Sequence, residues 1–342
     1  MSLKTLFLIV IVLITNLTIC QTIKGRVIDA TTKKPIEAVA IYFDNTTRGT
    51  ITNSKGEFSI NYNNAIQSPL VITFLGYKKE LITNYRNQKF LDIHLEESHE
   101  SLDEVLVNAN DGLTRKEKLK VFRREFLGNS KFGKSCTILN EDAIILKYLK
   151  KEKRLIAYSV EPLKIENTGL QYLVTYDLSS FYAQFVHTNA KANNFEVKAV
   201  GFRGNPYYQD MAVFNKEKAK KNRAKAYKGS VLQFMRALYA ENLEEEKFRT
   251  YLINVRTAPK NVFNIEFYND TAIKAVSLKS RPIMISFKNK QFSQIQVLVS
   301  HFLVDVYGNY TDVSKVSFSG YLGSKRFGDL LPFDYGLNLD GN

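Results

Sequence analysis

The chain has 342 residues, of which 44% are hydrophobic and 24% charged, with only 7 prolines. That balance excludes a disordered or low-complexity chain, and the length suits two domains. Trp is absent while 23 Phe and 19 Tyr supply large apolar area, a composition that favours strands.

The first segment, residues 1–20, reads as an export signal. Lys4 gives a positive start, Leu6 to Ile14 is an unbroken apolar run, and Thr18 and Cys20 are small residues before Gln21. The run is too short to span a bilayer, and no other membrane-length apolar stretch follows, so the mature chain is expected to have no transmembrane span. A second reading makes Cys20 a lipidated first residue; Ile19 argues against it, because that pattern wants a small residue there. The expectation is an exported protein, periplasmic or associated with the outer membrane. The formal charge of +14 would suggest nucleic acid in a cytosolic protein. Behind an export signal no nucleic-acid partner is expected, and the positive field is directed at anionic lipid headgroups, acidic glycans or an acidic envelope protein. Without Cys20, Cys136 is the only thiol, so no intramolecular disulfide is expected and Cys136 reads as a small buried residue.

From Thr22 to Glu97 the text consists of short strand candidates separated by turn residues: Thr22 to Ile28, Val39 to Phe43, Gly49 to Thr52, Glu57 to Asn61, Leu70 to Leu75, Lys79 to Ile82 and Leu91 to Leu95. Seven strands in that space predict a sandwich. Lys34 with Pro35, Asp44 with Asn45, and Asn53 to Gly56 are the turn signals. Ile41 and Phe43, like Phe58 and Ile60, fall on one face of their strands and are core candidates.

The acidic stretch Glu96 to Glu104 has no apolar face and places a linker at 98–111, between a first domain at 21–97 and a second at 112–342. Leu113 to Leu127 carries Leu119, Phe122, Phe126 and Leu127 at helical spacing, with Thr114 as N-cap and Glu117 as its box partner. Strands are then expected at Ile144 to Leu149, Leu155 to Val160, Leu163 to Ile165, Leu170 to Tyr176, Phe181 to His187 and Phe195 to Phe202. Asn215 caps a basic helix to about Tyr227, Gly229 breaks it, and Val231 to Asn242 forms an amphipathic helix with Leu232, Met235, Leu238 and Tyr239 on one face. Further strands are expected at Phe248 to Val255, Val262 to Tyr268, Ala272 to Ser277, Ile283 to Phe287, Gln294 to Val306 and Val313 to Tyr321. The fold class is therefore mainly β: a β-rich α+β chain whose second domain is an antiparallel half-barrel or sandwich with a helical pair packed on it.

The segments GRVIDATTKKPIEAVAIYF, RGTITNSKGEFSI, LVITFLGYKKELI and LDIHLEE resemble the carboxypeptidase-regulatory-like domain. Gly25, Val27, Asp29, Thr32, Pro35, Gly49, Thr50, Thr52, Gly56, Phe58, Gly76 and Tyr77 match its recurrent pattern in order, with Asn53 where aspartate is more frequent. The resemblance covers about residues 22–97 and implies a seven-strand, transthyretin-like sandwich. That module also opens outer-membrane receptors for carbohydrate uptake, followed there by a stretch similar to LDEVLVNA (Leu102 to Ala109), a plug and a barrel. The residues that follow here are too few for plug plus barrel, so that function is not inherited. Residues 112–342 resemble the uncharacterised partner region of other short exported proteins, which implies no activity.

No catalytic constellation stands out, and no cofactor is expected. His94, Glu97 and His99 test a zinc reading, but His94 lies in the last sandwich strand and the other two in the linker. His187 and His301 fall in or at the end of apolar strands and read as structural. HExxH, paired CxxC, EF-hand and GxSxG motifs are absent from the sequence. The one charged constellation is the basic helix, where Lys216, Lys218, Lys220, Lys221, Arg223, Lys225 and Lys228 stand against Glu217 alone; it is either a solvated face or a docking face for an anionic partner. The functional expectation is a non-enzymatic envelope binding or scaffolding protein. The alternatives are a carrier holding an apolar ligand between sheet and helices, and an unrecognised hydrolase.

Overall fold

The computed structural model describes residues 21–62, 67–98, 111–189, 194–213, 215–269, 271–280 and 282–337. The segment expected to direct export, Cys20, His99 and the stretch 102–109 lie outside the described residues. The chain divides into two compact units. One takes the residues up to 42, 48–97 and those from 334 onward; the other takes 43–47 and 98–333.

The first unit is built on seven strands: β1 (Gln21–Asp29), β2 (Ala40–Phe43), β3 (Gly49–Ile51), β4 (Glu57–Tyr62), β5 (Leu70–Thr73), β6 (Glu80–Ile82) and β7 (Leu91–Leu95). They form two sheets, ordered β4-β1-β7 and β3-β2-β5-β6. β1 and β4 show the alternation expected of strands with one covered face. β2 and β5 do not: Ile41, Tyr42 and Phe43, and Leu70, Val71 and Ile72, are all fully buried, so these strands are covered on both faces. β1 pairs antiparallel with β4 but parallel with β7.

The residues that carry the resemblance are engaged in holding this sandwich. Gly25 lies between two partners on β1, where a Cβ would sit 2.5 Å from both the Leu91 carbonyl oxygen and the Phe58 ring. Gly56 has φ +73°, and a Cβ there would sit 2.4 Å from the Val27 carbonyl oxygen. The Thr52 hydroxyl, buried, donates to Ile36 O at 2.7 Å and accepts from Val39 N at 2.9 Å. Asn53 takes over the role of the more frequent aspartate through Oδ1, which accepts from Lys55 N and Glu57 N, each at 2.9 Å.

The second unit opens with helix α1 (Arg115–Phe126), which starts where the capping box predicts: Glu117 N donates to the Thr114 hydroxyl and the Glu117 carboxylate accepts from Thr114 N. It packs on a six-stranded antiparallel sheet made by β8 (Cys136–Ile138), β9 (Ile144–Leu149), β10 (Arg154–Ser159), β11 (Leu163–Asn167), β12 (Tyr172–Asn189) and β13 (Asn194–Asp210). The core between them is aromatic: Phe126 stacks on Phe122 and Phe327 at 5.0 Å and meets Phe202 edge-on at 5.2 Å. The two strands expected at Leu170 to Tyr176 and Phe181 to His187 are one strand, β12, with a register shift between Leu178 and Ser180; a bulge re-aims a strand without ending it.

Helices α2 (Lys216–Tyr227) and α3 (Val231–Tyr239) follow, with Asn215 and Ser230 as N-caps. Two antiparallel sheets complete the unit. The five-stranded one uses β14 (Phe248–Leu252), β15 (Val255–Thr257), β18 (Ile283–Phe287), β19 (Gln291–Val297) and β21 (Val316–Ser319). The three-stranded one uses β16 (Phe263–Phe267), β17 (Lys274–Leu278) and β20 (Phe302–Val304). The expected strand Phe248 to Val255 is instead a hairpin that turns at Ile253 and Asn254, with φ of 47° and 67°. The expected strand Gln294 to Val306 is split between β19 and β20, in different sheets. Phe234, Met235 and Leu238 on α3 enter one core with Phe248, Ile285, Ile295 and Phe302. A short helix α4 (Gly320–Gly323) follows β21 directly, where the sequence reading extends the strand to Tyr321.

Candidate functional site

Helix α2 is fixed by its smallest residues and by one arginine. Ala219 and Ala226, two turns apart and so on one face, are buried. Arg223 joins them on that side: its guanidinium donates to Leu170 O at 2.9 Å, Gln171 O at 3.0 Å and the Asp210 carboxylate at 2.6 Å, and stacks 3.6 Å from the centre of the Tyr172 ring. The expectation that Arg223 belongs to an anion-facing surface is therefore corrected; it ties the helix to the end of the β12–β13 hairpin. Lys216, Lys218, Lys220, Lys221, Lys225 and Lys228 are all exposed.

The last two of these lysines meet others from distant segments. Lys225 and Lys228 line a cleft of about 420 Å³ together with Lys131 from the loop after α1, Lys288 and Lys290 from the β18–β19 turn, and Lys325 from the loop after α4. Its apolar lining is Phe132, Ala226 and Phe287, all buried, with half-buried Tyr321. The ammonium groups of Lys325 and Lys288 lie 4.7 and 5.4 Å from the Tyr321 and Phe287 ring centres. Asp329 is the one carboxylate among the lining residues. Lys288 also lines a neighbouring cleft of about 300 Å³ with Lys247, Arg249 and Asn289.

Local backbone geometry builds this arrangement. The three-residue β18–β19 turn has positive φ at Lys288, 54°, and Asn289, 57°, and Lys290 N donates to Phe287 O at 3.2 Å to close it. Gly229, φ +72°, brings the end of α2 down onto the aromatic lining: a Cβ there would sit 2.8 Å from Phe287 Cδ1 and 3.2 Å from Tyr321 Cε1. Several other cations of the unit are matched by acids, Lys118 by Asp111, Arg123 by Glu141, Arg223 by Asp210 and Lys274 by Glu241. The six cleft lysines have no such ion pair among the described residues. A cavity lined by one sign of charge concentrates counter-ions.

Sequence reasoning finds Lys225 and Lys228 but misses Lys131, Lys288, Lys290 and Lys325. These come from three further segments, and only tertiary structure joins them. The Arg223 misassignment had a signal in the sequence, because its position shares the helix face of Ala219 and Ala226.

The other candidates are placed as follows. His94 is exposed on β7 beside Asp92, at 3.4 Å, and Asp92 also accepts from Arg26. Among the described residues no three His, Cys, Asp or Glu side chains are grouped to hold a metal. Cys136, expected to be buried, is half-buried; it donates weakly to Phe132 O at 3.3 Å, and desolvation, with the nearby Asp329, pushes its thiol up to about 12, which disfavours the thiolate. His301, expected inside an apolar strand, is exposed just before β20, its Nδ1 3.1 Å from the Ser300 hydroxyl. Asp305 is buried, accepts from Tyr307 N and Asn309 N through Oδ1, and has no hydrogen-bond partner for Oδ2 among the described residues. Among the described residues no helix is long and apolar enough to cross a membrane, which leaves strand-built spans unaddressed.

No curated protein matches the chain. Among solved structures, a protein of unknown function from Bacteroides fragilis is 13% identical, over 88% of this chain and 94% of that one, with a TM-score of 0.19. A 9R-lipoxygenase from Cyanothece is 10% identical, over 65% of this chain and 48% of that one, with a TM-score of 0.17. Likenesses of that order carry no argument about fold or activity. The sequence pattern of a known family does match, over residues 23–107, and with the sandwich of β1 to β7 in place, the N-terminal part of this chain is a CarboxypepD_reg-like domain.

Proposed function

We propose that the chain is a non-enzymatic binding protein of the cell envelope, exported by its leader, in which the CarboxypepD_reg-like domain is an interaction module and the second unit attaches to an anionic lipid surface. The observation that carries this reading is the exposed side of α2, where Lys216, Lys218, Lys220 and Lys221 face solvent on a helix fixed from behind by Ala219, Ala226 and Arg223. A lysine near an anionic membrane contributes about 1 kcal/mol, with a reach limited to a Debye length of about 8 Å at physiological salt. The face lacks the large aromatic anchors that dominate protein–protein interfaces, which favours a diffuse charged surface over an acidic protein. The carrier alternative needs free space between helix and sheets. Phe234, Met235 and Leu238 of α3 occupy that space in direct packing with the strands.

Sedimentation of the full chain with vesicles tests this reading. Binding to vesicles containing phosphatidylglycerol, little binding to phosphatidylcholine alone, and release as salt is raised are the expected results. Charge reversal by Lys216→Glu, Lys218→Glu, Lys220→Glu and Lys221→Glu together should abolish attachment. Equal binding to neutral vesicles, or attachment that survives the charge reversal, overturns the proposal, and capture of an acidic envelope protein without vesicle binding redirects it.

A further inference from the structure

We infer that the lysine-rimmed cleft between the end of α2 and the β18–β19 turn is a binding site for a phosphorylated sugar. Six lysines from four separate segments converge there on about 420 Å³, with Asp329 as the one opposing carboxylate. That volume lies in the range of small-molecule sites, about 300 to 1,000 Å³. No arginine is among the lining residues, so the planar fork that grips carboxylates and phosphates bidentately is not used. Mobile ammonium groups act instead as point charges, and several of them answer the charge of about −1.5 to −2 that a phosphate monoester carries near neutral pH.

Two further features distinguish the ligand from a bare oxyanion. Gln291 lines the cleft, and its buried Oε1 has no hydrogen-bond partner among the described residues. A buried polar atom without a partner is costly, and a hydroxyl satisfies it whichever end of the amide is presented. The cleft is also lined by the rings of Phe132, Phe287 and Tyr321, the last two beneath the mobile Lys288 and Lys325 side chains. Aromatic faces carry partial negative charge and accept the C–H face of a pyranose. Phosphate on the lysines, ring on the aromatics and hydroxyl on Gln291 together account for the lysines, the rings and the amide of the lining. This site is separate from the Lys216 to Lys221 face, and each stands or falls without the other.

Titration calorimetry of the full chain with glucose 6-phosphate, inorganic phosphate and glucose, each alone, tests the assignment. Glucose 6-phosphate should bind about tenfold or more tightly than inorganic phosphate, the ratio expected for one added good polar contact. Lys228→Glu and Lys290→Glu should each weaken it about tenfold or more. Gln291→Ala should weaken glucose 6-phosphate while leaving inorganic phosphate unchanged. The charge reversal at Lys216, Lys218, Lys220 and Lys221 should leave glucose 6-phosphate binding intact. Vesicles carrying monophosphoryl lipid A separate the sources: attachment that depends on Lys228 and Lys290 identifies a lipid-borne sugar phosphate, and glucose 6-phosphate binding alone identifies a free one. Equal affinity for inorganic phosphate, no binding of any probe, or binding indifferent to Lys228 and Lys290 overturns the inference.

Discussion

The sandwich and the second unit use their polar residues in opposite ways. In the sandwich, Asp29 accepts from the amides of Thr31 and Thr32 and from the Tyr77 hydroxyl at 2.8 Å, while Thr52 and Asn53 pin the neighbouring turns. These recurrent residues are thus satisfied by one another, and a pattern of this kind specifies a fold without naming a ligand. In the second unit six lysines converge on a single cleft without a matching set of acids. A family resemblance carried by the first kind of residue is a statement about architecture, and function has to be sought in the second kind.

The largest expected effect tests whether buried acids in the two units are as different as their surroundings. The Asp29 carboxyl is held down to about 2, chiefly by the Thr32 amide and then by Tyr77. Asp305 is pushed up to about 7 by burial, against the pull of the Asn309 and Tyr307 amides and Arg236. A raised carboxyl stays protonated in the fold where the unfolded chain has already ionised, so between about 4 and 7 the unfolded state binds fewer protons and stability falls as pH rises. Asp305→Asn keeps the Oδ1 acceptor and cannot ionise. It should remove a loss on the order of a few kcal/mol, seen as a urea midpoint above the parent's at pH 8 and close to it at pH 4. Parallel midpoint curves for the two proteins would sink the assignment.

Next in size is Gly25→Ala. The added methyl has no room between the Leu91 carbonyl and the Phe58 ring, and overpacking of this kind costs about 1 to 3 kcal/mol. Gly76→Ala makes the control, since Gly76 has positive φ but open space around its Cα, so its cost is backbone strain alone. Thermal melts that rank Gly76→Ala above Gly25→Ala would contradict the close approach of β1, β4 and β7.

A smaller and directional effect concerns the Asp29 pair. The depressed carboxyl stabilises the fold above its unfolded value near 3.8, and this contribution is lost as pH falls through about 2. Tyr77, raised to about 12 chiefly by its bond to Asp29, contributes below 10 and loses that contribution as pH rises through 12. Tyr77→Phe should raise the Asp29 pKa without returning it to 3.8, because the Thr32 and Thr31 amides remain. A carbon-detected titration of the Asp29 carboxyl reads this directly, and an unmoved value would show that Tyr77 plays no part.

The same contrast governs what could be read from the sequence. All seven sandwich strands fall within one or two residues of their expected ranges, because alternation and turn residues such as Asn53 to Gly56 are local signals. The parallel pairing of β1 with β7 is a long-range fact with no local trace. In the second unit the capped starts of α1 and α2, and the start of α3 after Gly229, were legible for the same local reason. The hairpin at Ile253 and Asn254 was not, since neither residue is the glycine that usually marks positive φ. The cleft was one-third legible: Lys225 and Lys228 belong to a conspicuous basic helix, whereas Lys131, Lys288, Lys290 and Lys325 are unremarkable until the chain brings them together.

The smallest expected effect on stability is the most telling for function. Replacing Lys225, Lys228, Lys288 and Lys290 by glutamine removes no ion pair among the described residues and relieves repulsion between like charges. Single surface changes of that type stay within about 0.5 kcal/mol of the parent, and here the sign of the four together should be stabilising. Arg223→Gln on the same helix should do the reverse, because it breaks the bonds to Leu170, Gln171 and Asp210. If urea unfolding showed the four cleft lysines to be as costly to replace as Arg223, they would be structural, and the cleft would lose its claim to be a site. If the quadruple variant is instead more stable than the parent, the charge there opposes folding, which is the signature of groups retained for a ligand.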